Sequence, residues 1–357
     1  MTSDTSFSTQ SQQANEPPFR YVHSVTFPGL LDRLESTLVV TTYQAGKLVL
    51  FRPREIKLSM LLRSFNQAMG VAVASNGMAI GTRDMIWFLR DDPKSAGEME
   101  PAGRHDACFI PRWSHVTGDI RIHEIGWGGD ELWIANTRFS CLCTLDPDYS
   151  FVPRWQPPFV TRLAAEDCCH LNGLAIADGR PKYVSVFAEA DLPQGWRANK
   201  ADGGCLIDVD SGETVARDLS MPHSPRVYDG RVWLLDSGRG RLVTVDPANG
   251  QVETVAQLPG YTRGLAFCGR YAFVGLSQIR ETAVFGGVPI AGEDRKCGVW
   301  VIDIESGQEV AFLEFDKGVA EIFDVQIVSG IRFPAVVGLQ KDTIHDTFVY
   351  PPTKEIS

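Results

Sequence analysis

One structural plan recurs along the chain, and it limits the possible folds more than any other feature of the sequence. The stretch HEIGWGGDELWIANTRFSCLCTLDPD, from His123, matches HSPRVYDGRVWLLDSGRGRLVTVDPANG, from His223, almost position by position. Each reads as a short strand, a tight turn, a second strand, a polar loop and a third strand followed by an aspartate. Further copies of this plan begin at Met69, His170 and Arg263, and a weaker copy begins at Glu321.

The spacing of these copies predicts the architecture. Their first residues are separated by 54, 47, 53, 40 and 58 positions, which is typical of one four-stranded blade per copy in an all-β β-propeller. We expect six blades; seven remain open, because the chain from Glu321 around to Met69 is long enough for two. The N-terminal TLVVTTYQAGKLVLFRP lacks an obvious first strand, so we expect strands from the two chain ends to pair and close the ring.

Composition supports one large β domain. The 357 residues include 33 glycines and 21 prolines, and turn pairs such as NG, GG and DG separate the short apolar runs. The opening MTSDTSFSTQSQQANEPP is polar, so residues 1–18 are predicted to be a disordered tail and residues 19–357 a single β-propeller domain.

Charge and hydropathy narrow the list of partners and the location. A net charge of −10 argues against a nucleic-acid surface or an anionic membrane as the main partner. No apolar run reaches the roughly 18 residues that a membrane span needs. Because the opening segment also lacks the features of a secretory signal, we expect a cytoplasmic protein. The eight cysteines are spaced like buried apolar residues rather than like a disulfide or zinc framework.

The repeat brings distant residues together. In a propeller the first strands surround the central channel, so the residues that open each copy should meet at one mouth of it. Three imidazoles there, from His123, His170 and His223, are a natural ligand set for a divalent transition metal, with zinc, iron and copper equally compatible. Asp119, Asp167 and Glu124 are candidates to orient these imidazoles.

Other interpretations of the same residues stay open. Each histidine, taken alone, also fits a hydrogen-bonded packing role. Glu321 is a candidate fourth ligand, a general base, or a salt-bridge partner of Arg263. We expect Glu321 and Arg263 to be the catalytic residues if the protein is an enzyme.

The loops between second and third strands should rise around the same mouth, and many carry basic side chains. Guanidinium groups match carboxylate or phosphate oxygens, so we expect a small anionic or polar molecule to bind there. Arginines that brace neighbouring loops are the alternative, and the tryptophan in QGWRANKADGG forms a wall, a lid or ordinary packing. The predicted substrate-binding residues are Tyr43, Gln44, Arg83, Arg138, Trp196, Arg197, Lys200, Arg239 and Arg280.

Six motifs carry a resemblance to a known family. TTYQAGKL, NTRFSCL, CHLNGLA, MPHSPR, RGLAF and GLSQIRE together resemble a widespread bacterial β-propeller family defined by a domain of unknown function, from about Tyr21 onward. More distantly, the blade pattern is similar to gluconolactonase and regucalcin-like propellers, which hold a metal with Glu, Asn and Asp side chains. A histidine-lined axial metal also resembles the peptide-amidating lyase propeller, which implies zinc-type chemistry.

The expected function is therefore that of a metal-dependent hydrolase or lyase that acts on a small anionic or polar substrate. A metal-dependent oxidoreductase is one alternative. A non-catalytic binding or scaffold propeller that holds a peptide or a partner protein is the other.

Overall fold

The strands form six radial sheets around one axis. The structure is a computed structural model that describes residues 19–278, 286–340 and 342–350. The predicted tail, residues 1–18, lies outside these ranges. In chain order the strands of the first half are β1 (Arg20–His23), β2 (Ser36–Thr42), β3 (Lys47–Arg54), β4 (Lys57–Ser64), β5 (Val71–Ala74), β6 (Gly77–Gly81), β7 (Met85–Asp91), β8 (Cys108–Val116), β9 (Ile122–Gly128), β10 (Glu131–Asn136), β11 (Cys141–Asp146) and β12 (Tyr149–Trp155).

The second half of the chain continues the same pattern. Its strands are β13 (Leu171–Ala177), β14 (Arg180–Val186), β15 (Gly204–Asp208), β16 (Thr214–Leu219), β17 (Pro222–Tyr228), β18 (Arg231–Asp236), β19 (Arg241–Val245), β20 (Val252–Gln257), β21 (Tyr261–Cys268), β22 (Tyr271–Ser277), β23 (Gly298–Asp303), β24 (Glu309–Lys317), β25 (Asp324–Ser329) and β26 (Ala335–Val336). The helices are α1 (Thr26–Arg33), α2 (Pro93–Glu98) and short 3-10 turns at Gly195–Asn199, Ser237–Arg239, Pro289–Gly292 and Asp342–Ile344.

Both chain ends close the ring. Blade 1 consists of β25, β2, β3 and β4, so its innermost strand comes from the C-terminal region and the other three from the N-terminal region. Blades 2 to 6 follow as β5–β8, β9–β12, β13–β16, β17–β20 and β21–β24. Strand β1 adds to the outer edge of blade 6, and β26 pairs in parallel with β8 of blade 2. The described residues thus form a six-bladed propeller, which settles the choice between six and seven and confirms the predicted closure.

The turn chemistry explains the blade edges. Asp178-Gly179 and Asp229-Gly230 link the two inner strands of blades 4 and 5, and all four residues have positive φ. That combination is the type I′ turn, whose twist matches that of antiparallel strands. Because such turns reverse the chain within two residues, the second strand returns directly to the mouth from which the first strand began.

The cores lie between blades rather than within them. Strand β2 is buried along its whole length, because both faces of blade 1 are covered by neighbouring blades. In the described part of the chain, six apolar clusters each join one adjacent pair of blades and complete the circle. Helix α1 adds Phe27, Leu30 and Leu31 to the cluster between blades 6 and 1. No helix of the described ranges is long and apolar enough to cross a bilayer.

Candidate functional site

A cavity of about 550 Å³ opens on the propeller axis. This axial cavity is within the range of small-molecule sites. Its lining residues come from all six blades, and they are Tyr43, Gln44, Gln67, Met69, Arg83, Asp119, Arg121, His123, Asp167, His170, Phe187, Trp196, Arg197, His223, Tyr261, Arg263, Ser277, Gln278, Glu321 and Phe323. All six residues that open the sequence repeats therefore meet at one mouth, as predicted.

Each blade contributes one residue to an axial ring at the start of its first strand. His123 and His223 are the second residues of β9 and β17, and His170 immediately precedes β13. Blades 2 and 6 contribute Met69 and Arg263. In blade 1 the equivalent position is Phe323 rather than Glu321. The next residue, Asp324, accepts the backbone N–H of Val71 in the following blade, as Glu124 accepts that of Leu174 and Ser224 that of Gly264.

His123 and His223 are held by the same pair of partners. The Nδ1 atom of His123 lies 3.2 Å from the carbonyl oxygen of Arg121, two residues earlier, and 2.8 Å from the hydroxyl of Thr137, fourteen residues later. In blade 5 the Nδ1 atom of His223 lies 2.9 Å from the carbonyl oxygen of Met221 and 3.0 Å from the hydroxyl of Ser237, and the Tyr261 hydroxyl is a further neighbour at 3.3 Å. The sequence offsets are identical.

These partners fix the tautomer of both rings. A carbonyl oxygen only accepts, so the proton must be on Nδ1. The two hydroxyls can accept from Nδ1, since Thr137 donates to the carbonyl of Leu171 and Ser237 to that of Leu235. Burial lowers the pKa of His123 and of His223 well below the usual value, and neighbouring positive charge contributes. Both imidazoles are therefore neutral at pH 7, with the lone pair on Nε2, which has no hydrogen-bond partner among the described residues.

The backbone around MPHSPR explains how His223 is aimed. Met221 and Ser224 have φ values of 46° and 50°, and the pairing of β17 with β18 shifts register between His223 and Arg226. Pro225 fits this bulge because it has no N–H to leave unpaired. It also requires Gly173 in the preceding blade, where a Cβ would lie 2.3 Å from the proline ring. The two prolines of the motif thus turn the strand where the imidazole enters the cavity.

His170 is oriented by a carboxylate instead. Its Nδ1 donates to Asp167 at 3.0 Å, and Arg121 also donates to Asp167 at 2.9 Å. The ring packs 4.4 Å from the Phe187 ring and 4.5 Å from the Trp196 ring, between centroids. This arrangement agrees with the predicted role of Asp167 in orienting an imidazole, and it makes Trp196 part of the cavity wall.

Arg263 is the exceptional member of the axial ring. Its side chain is 8% exposed, yet it donates no hydrogen bond to any residue that the structure describes. Its Nη1 atom lies 3.5 Å from a carboxylate oxygen of Glu321, and the guanidinium carbon lies 3.6 Å from the centroid of Phe323. Burial lowers the pKa of this group. The contact supports the salt-bridge interpretation of Glu321.

A second, much smaller cavity of about 10 Å³ lies against Arg263, His123, His223 and Glu124, among others. Such a volume holds one water molecule. One water satisfies only part of a guanidinium with five N–H donors, so it does not supply all the hydrogen bonds that Arg263 lacks.

A paired buried arginine lies nearby. Arg226 bridges to Glu124 and donates to the carbonyls of Leu265 and Pro225. Burial raises the pKa of Glu124 to about 7, partly with the help of Asp324. Both arginines have a counter-charge, but only Arg226 also has hydrogen-bond acceptors among the described residues.

The three histidine rings converge closely. The ring centroids of His123 and His170 are 4.8 Å apart, and those of His123 and His223 are 6.5 Å apart. Two imidazoles that share one tetrahedral ion at about 2 Å have centroids about 5 Å apart. Across the described ranges, however, no group of three or more His, Cys, Asp or Glu side chains has the arrangement of a metal site. The convergence is found, and metal binding itself stays a prediction.

The predicted basic rim divides into two groups. Tyr43, Gln44, Arg83, Trp196 and Arg197 line the cavity, and Arg83 and Arg197 are exposed. The predicted residues Arg138, Lys200 and Arg239 are not among the described residues that line it. Arg280 lies outside the described residues.

The two rim arginines beyond the cavity have partners of their own. Arg138 donates to the carbonyl of Asp119 at 2.6 Å. Arg239 pairs with Asp236 and donates to the carbonyl of Asp218. These two arginines therefore brace neighbouring loops, which was the alternative to ligand binding.

Sequence reasoning did not select several lining residues. Arg121 and Tyr261 occupy the position two residues before the axial residue, as Glu321 does before Phe323. That constant offset was a usable signal. Gln67, two residues before Met69, has the same offset, whereas Phe187 carried no comparable signal.

The matched family agrees with the resemblance carried by the motifs. Residues 25–337 match the family model described as DUF4915, a domain of unknown function. The chain belongs to the DUF4915 family. No curated protein matches the chain significantly.

Solved structures show the DUF4915 chain's fold in other proteins. A chain of a nidogen/laminin complex matches with a TM-score of 0.53 at 10% identity, over 83% of this chain and 99% of that one. A protein of unknown function from Bacteroides caccae matches with a TM-score of 0.53 at 12% identity, over 82% and 98%. At such identities the likeness shows the fold alone, and neither match bears out the similarity to gluconolactonase.

Proposed function

We propose that the axial cavity binds a small anionic molecule and that Arg263 anchors its negative charge. The observation that carries this proposal is a buried guanidinium without a hydrogen bond to any described residue. A buried polar group without a partner costs about 1–3 kcal/mol, and a charged group costs more. No described residue offsets this cost with a hydrogen bond to the guanidinium. A ligand carboxylate would offset it by accepting two parallel N–H bonds.

The groups around Arg263 are compatible with an anionic ligand. Glu321 is the nearest acid, and at 3.5 Å it compensates charge without a well-formed hydrogen bond. Arg83 and Arg197 stand exposed at the entrance. They would attract an anion into the cavity from solution.

A thermal-shift and calorimetry series tests the anchor. Full-length protein is titrated with acetate, benzoate, phosphate and sulfate. We expect at least one anion to stabilise the wild type, by about 2.7 kcal/mol at a hundred times its Kd. We expect Arg263→Met to lose this response and Arg138→Met, which removes a paired arginine beside the cavity, to keep it. Equal responses of wild type and Arg263→Met would refute the anchor.

A second candidate function is metal-dependent catalysis, and the histidine tautomers favour it. Nδ1 of His123, His170 and His223 is engaged by protein acceptors, so Nε2 is left for a ligand. Histidine metal ligands typically hydrogen-bond a protein acceptor through the ring nitrogen that does not bind the metal. A divalent ion would supply Lewis-acid polarisation for hydrolysis or lyase chemistry, or electron transfer if it is redox-active. In this candidate Arg263 positions the substrate and Glu321 is the general base.

Elemental analysis of untagged protein tests the metal. We expect near-stoichiometric zinc, iron or copper in the wild type and its loss in His123→Ala, His170→Ala and His223→Ala. His115→Ala is the matched control, because His115 lies on β8 away from the cavity. A metal-free wild type that also fails reconstitution with these ions refutes this candidate.

The remaining class is a scaffold propeller that holds a peptide or partner protein at the mouth. It becomes the leading interpretation only if both preceding tests fail. Its test is binding of a peptide library, with a free C-terminal carboxylate compared against an amidated one.

A further inference from the structure

The floor of the axial cavity combines one donor group with two acceptors. Arg263 offers N–H donors, whereas His123 and His223 offer Nε2 lone pairs, because their Nδ1 atoms carry the proton. The three side chains also share the small cavity below. Arg263 lies 3.6 Å, and the His123 ring 5.4 Å, from the centroid of Phe323. Arg263 and His123 thus lie beside one phenyl ring, and both line the axial cavity together with His223.

We infer that the ligand is a carboxylate with a hydroxyl group on the adjacent carbon, that its carboxylate binds Arg263, and that its hydroxyl donates to Nε2 of His123 or His223. This inference rests on the proposed anion-binding function and names its ligand class. A carboxylate is acceptor-only when ionised, and a hydroxyl supplies the donor that the imidazoles lack.

The charges of the wall favour a neutral donor over an ammonium group. Four arginines line the axial cavity, against the three acids Asp119, Asp167 and Glu321. The field of Arg263 already opposes protonation of His123 and His223. The Arg263 guanidinium would repel a ligand ammonium in the same way, whereas a hydroxyl carries no charge.

The same inventory disfavours a phosphate dianion. Arg121 is paired with Asp167 at 2.9 Å, which leaves one buried guanidinium for the ligand. One guanidinium matches one carboxylate in fork geometry. A dianion would bring a second charge next to Glu321 without a second buried cation.

The remaining volume is bounded by aromatic side chains. Phe187, Trp196 and Tyr261 are each at most 3% exposed and line the cavity, and the half-buried Tyr43 ring lies 5.7 Å from the Phe323 ring. The cavity of about 550 Å³ therefore accepts a hydroxy acid with an apolar substituent. Mandelate and lactate are suitable probes of large and small size.

Matched pairs of probes test the inference. Full-length protein is treated with a chelator, its metal content is checked, and calorimetry measures lactate against propanoate and mandelate against phenylacetate. Each pair differs by one hydroxyl. We expect the hydroxy acid of each pair to bind about tenfold more tightly, because the analogue without the hydroxyl leaves a buried imidazole acceptor without a hydrogen bond.

Two sets of variants assign the two halves of the ligand. In His123→Phe and His223→Phe we expect the preference to shrink toward equal affinity in at least one variant, while Arg263→Met weakens both members of each pair. If a phenylalanine variant fails to fold, Thr137→Val or Ser237→Ala loosens the same imidazole, and we expect a smaller preference there too.

The outcomes separate the two proposals. Equal wild-type affinities within each pair, with binding that depends on Arg263, overturn the hydroxy-acid inference and leave the anion anchor intact. An undiminished preference in all the histidine, threonine and serine variants also overturns it. Absence of any carboxylate binding overturns both.

Discussion

Blades 5 and 6 place different residues at the same position, and the scaffold treats them differently. In blade 5 the carbonyl two residues before His223 and the hydroxyl of Ser237, fourteen residues after it, both bond the imidazole. In blade 6 the residue fourteen after Arg263 is Ser277. Its hydroxyl exchanges two hydrogen bonds with the backbone of Ile322 instead.

The difference shows which axial side chain lacks hydrogen-bond partners within the described protein. Ser277 helps to join blade 6 to blade 1, where the ring closes. Arg263 has only a long salt bridge with Glu321 and a contact with the Phe323 ring. His123 repeats the pattern of His223 with Thr137 as its hydroxyl partner. The propeller therefore supplies hydrogen-bond partners for Nδ1 of these two histidines, whereas no described residue accepts a hydrogen bond from its axial arginine.

The strongest way to sharpen this comparison is to remove the arginine that does have partners. Arg226→Met would leave the buried Glu124 without its counter-charge. We expect a loss of about 3–5 kcal/mol in the free energy of unfolding at pH 8, measured by urea denaturation. Arg154→Met removes an exposed pair with Glu131 and should cost less than about 1 kcal/mol. A cost as small for Arg226→Met would show that the paired arginine is not held as described.

The pH dependence of stability tests the same buried pair. Because burial raises the pKa of Glu124 from 4.5 to about 7, the folded protein binds a proton that the unfolded chain releases between these values. This group's contribution is fully present below pH 4.5 and is lost as the pH rises to about 7, with a slope of up to about 1.4 kcal/mol per pH unit. Glu124→Gln should flatten that part of the profile. An unchanged slope in the variant would assign the pH dependence to other groups.

Removing Arg263 should raise the free energy of unfolding rather than lower it. We expect ligand-free Arg263→Met to be more stable than the wild type by about 1–2 kcal/mol, because removing buried donors that lack acceptors outweighs the loss of the long contact with the partly exposed Glu321. Urea denaturation in a buffer without carboxylates or phosphate measures it. A loss of stability comparable to that of Arg226→Met would contradict the distinction between the two arginines.

The smallest effects concern the hydroxyls. Ser237→Ala and Thr137→Val each remove one acceptor from a histidine Nδ1 and should lower the free energy of unfolding by about 0.5–1.5 kcal/mol. NMR of the imidazole nitrogens should show more of the Nε2-protonated tautomer in each variant. A tautomer population equal to that of the wild type would mean that the remaining partners of Nδ1 fix the ring without the removed hydroxyl.

The sequence predicted the architecture because blade spacing, turn pairs and strand order are local properties. His123, His170 and His223 were placed at the axis by the same reasoning. Phe323 was missed because the register of the weak copy in EIFDVQIVSG is fixed by long-range contacts, namely the pairing of β25 with β2 and the hydrogen bond from Val71 to Asp324.

The rim could be predicted only in part. Whether a loop arginine reaches the cavity depends on the acid beside it, as Asp236 beside Arg239 shows. The lack of a hydrogen-bond acceptor for Arg263 has no local sequence signature, since the groups around its guanidinium, Glu321 and Phe323, come from another blade. Metal binding remains a prediction.

A crystal structure of chelator-treated protein, determined without ligand and after soaking in lactate, tests the central claim most directly. We expect the Arg263 guanidinium to lack protein hydrogen bonds in the first crystal and to hold a carboxylate at about 3 Å in the second. A guanidinium already bonded to protein acceptors, or lactate bound only to rim arginines, would contradict the account.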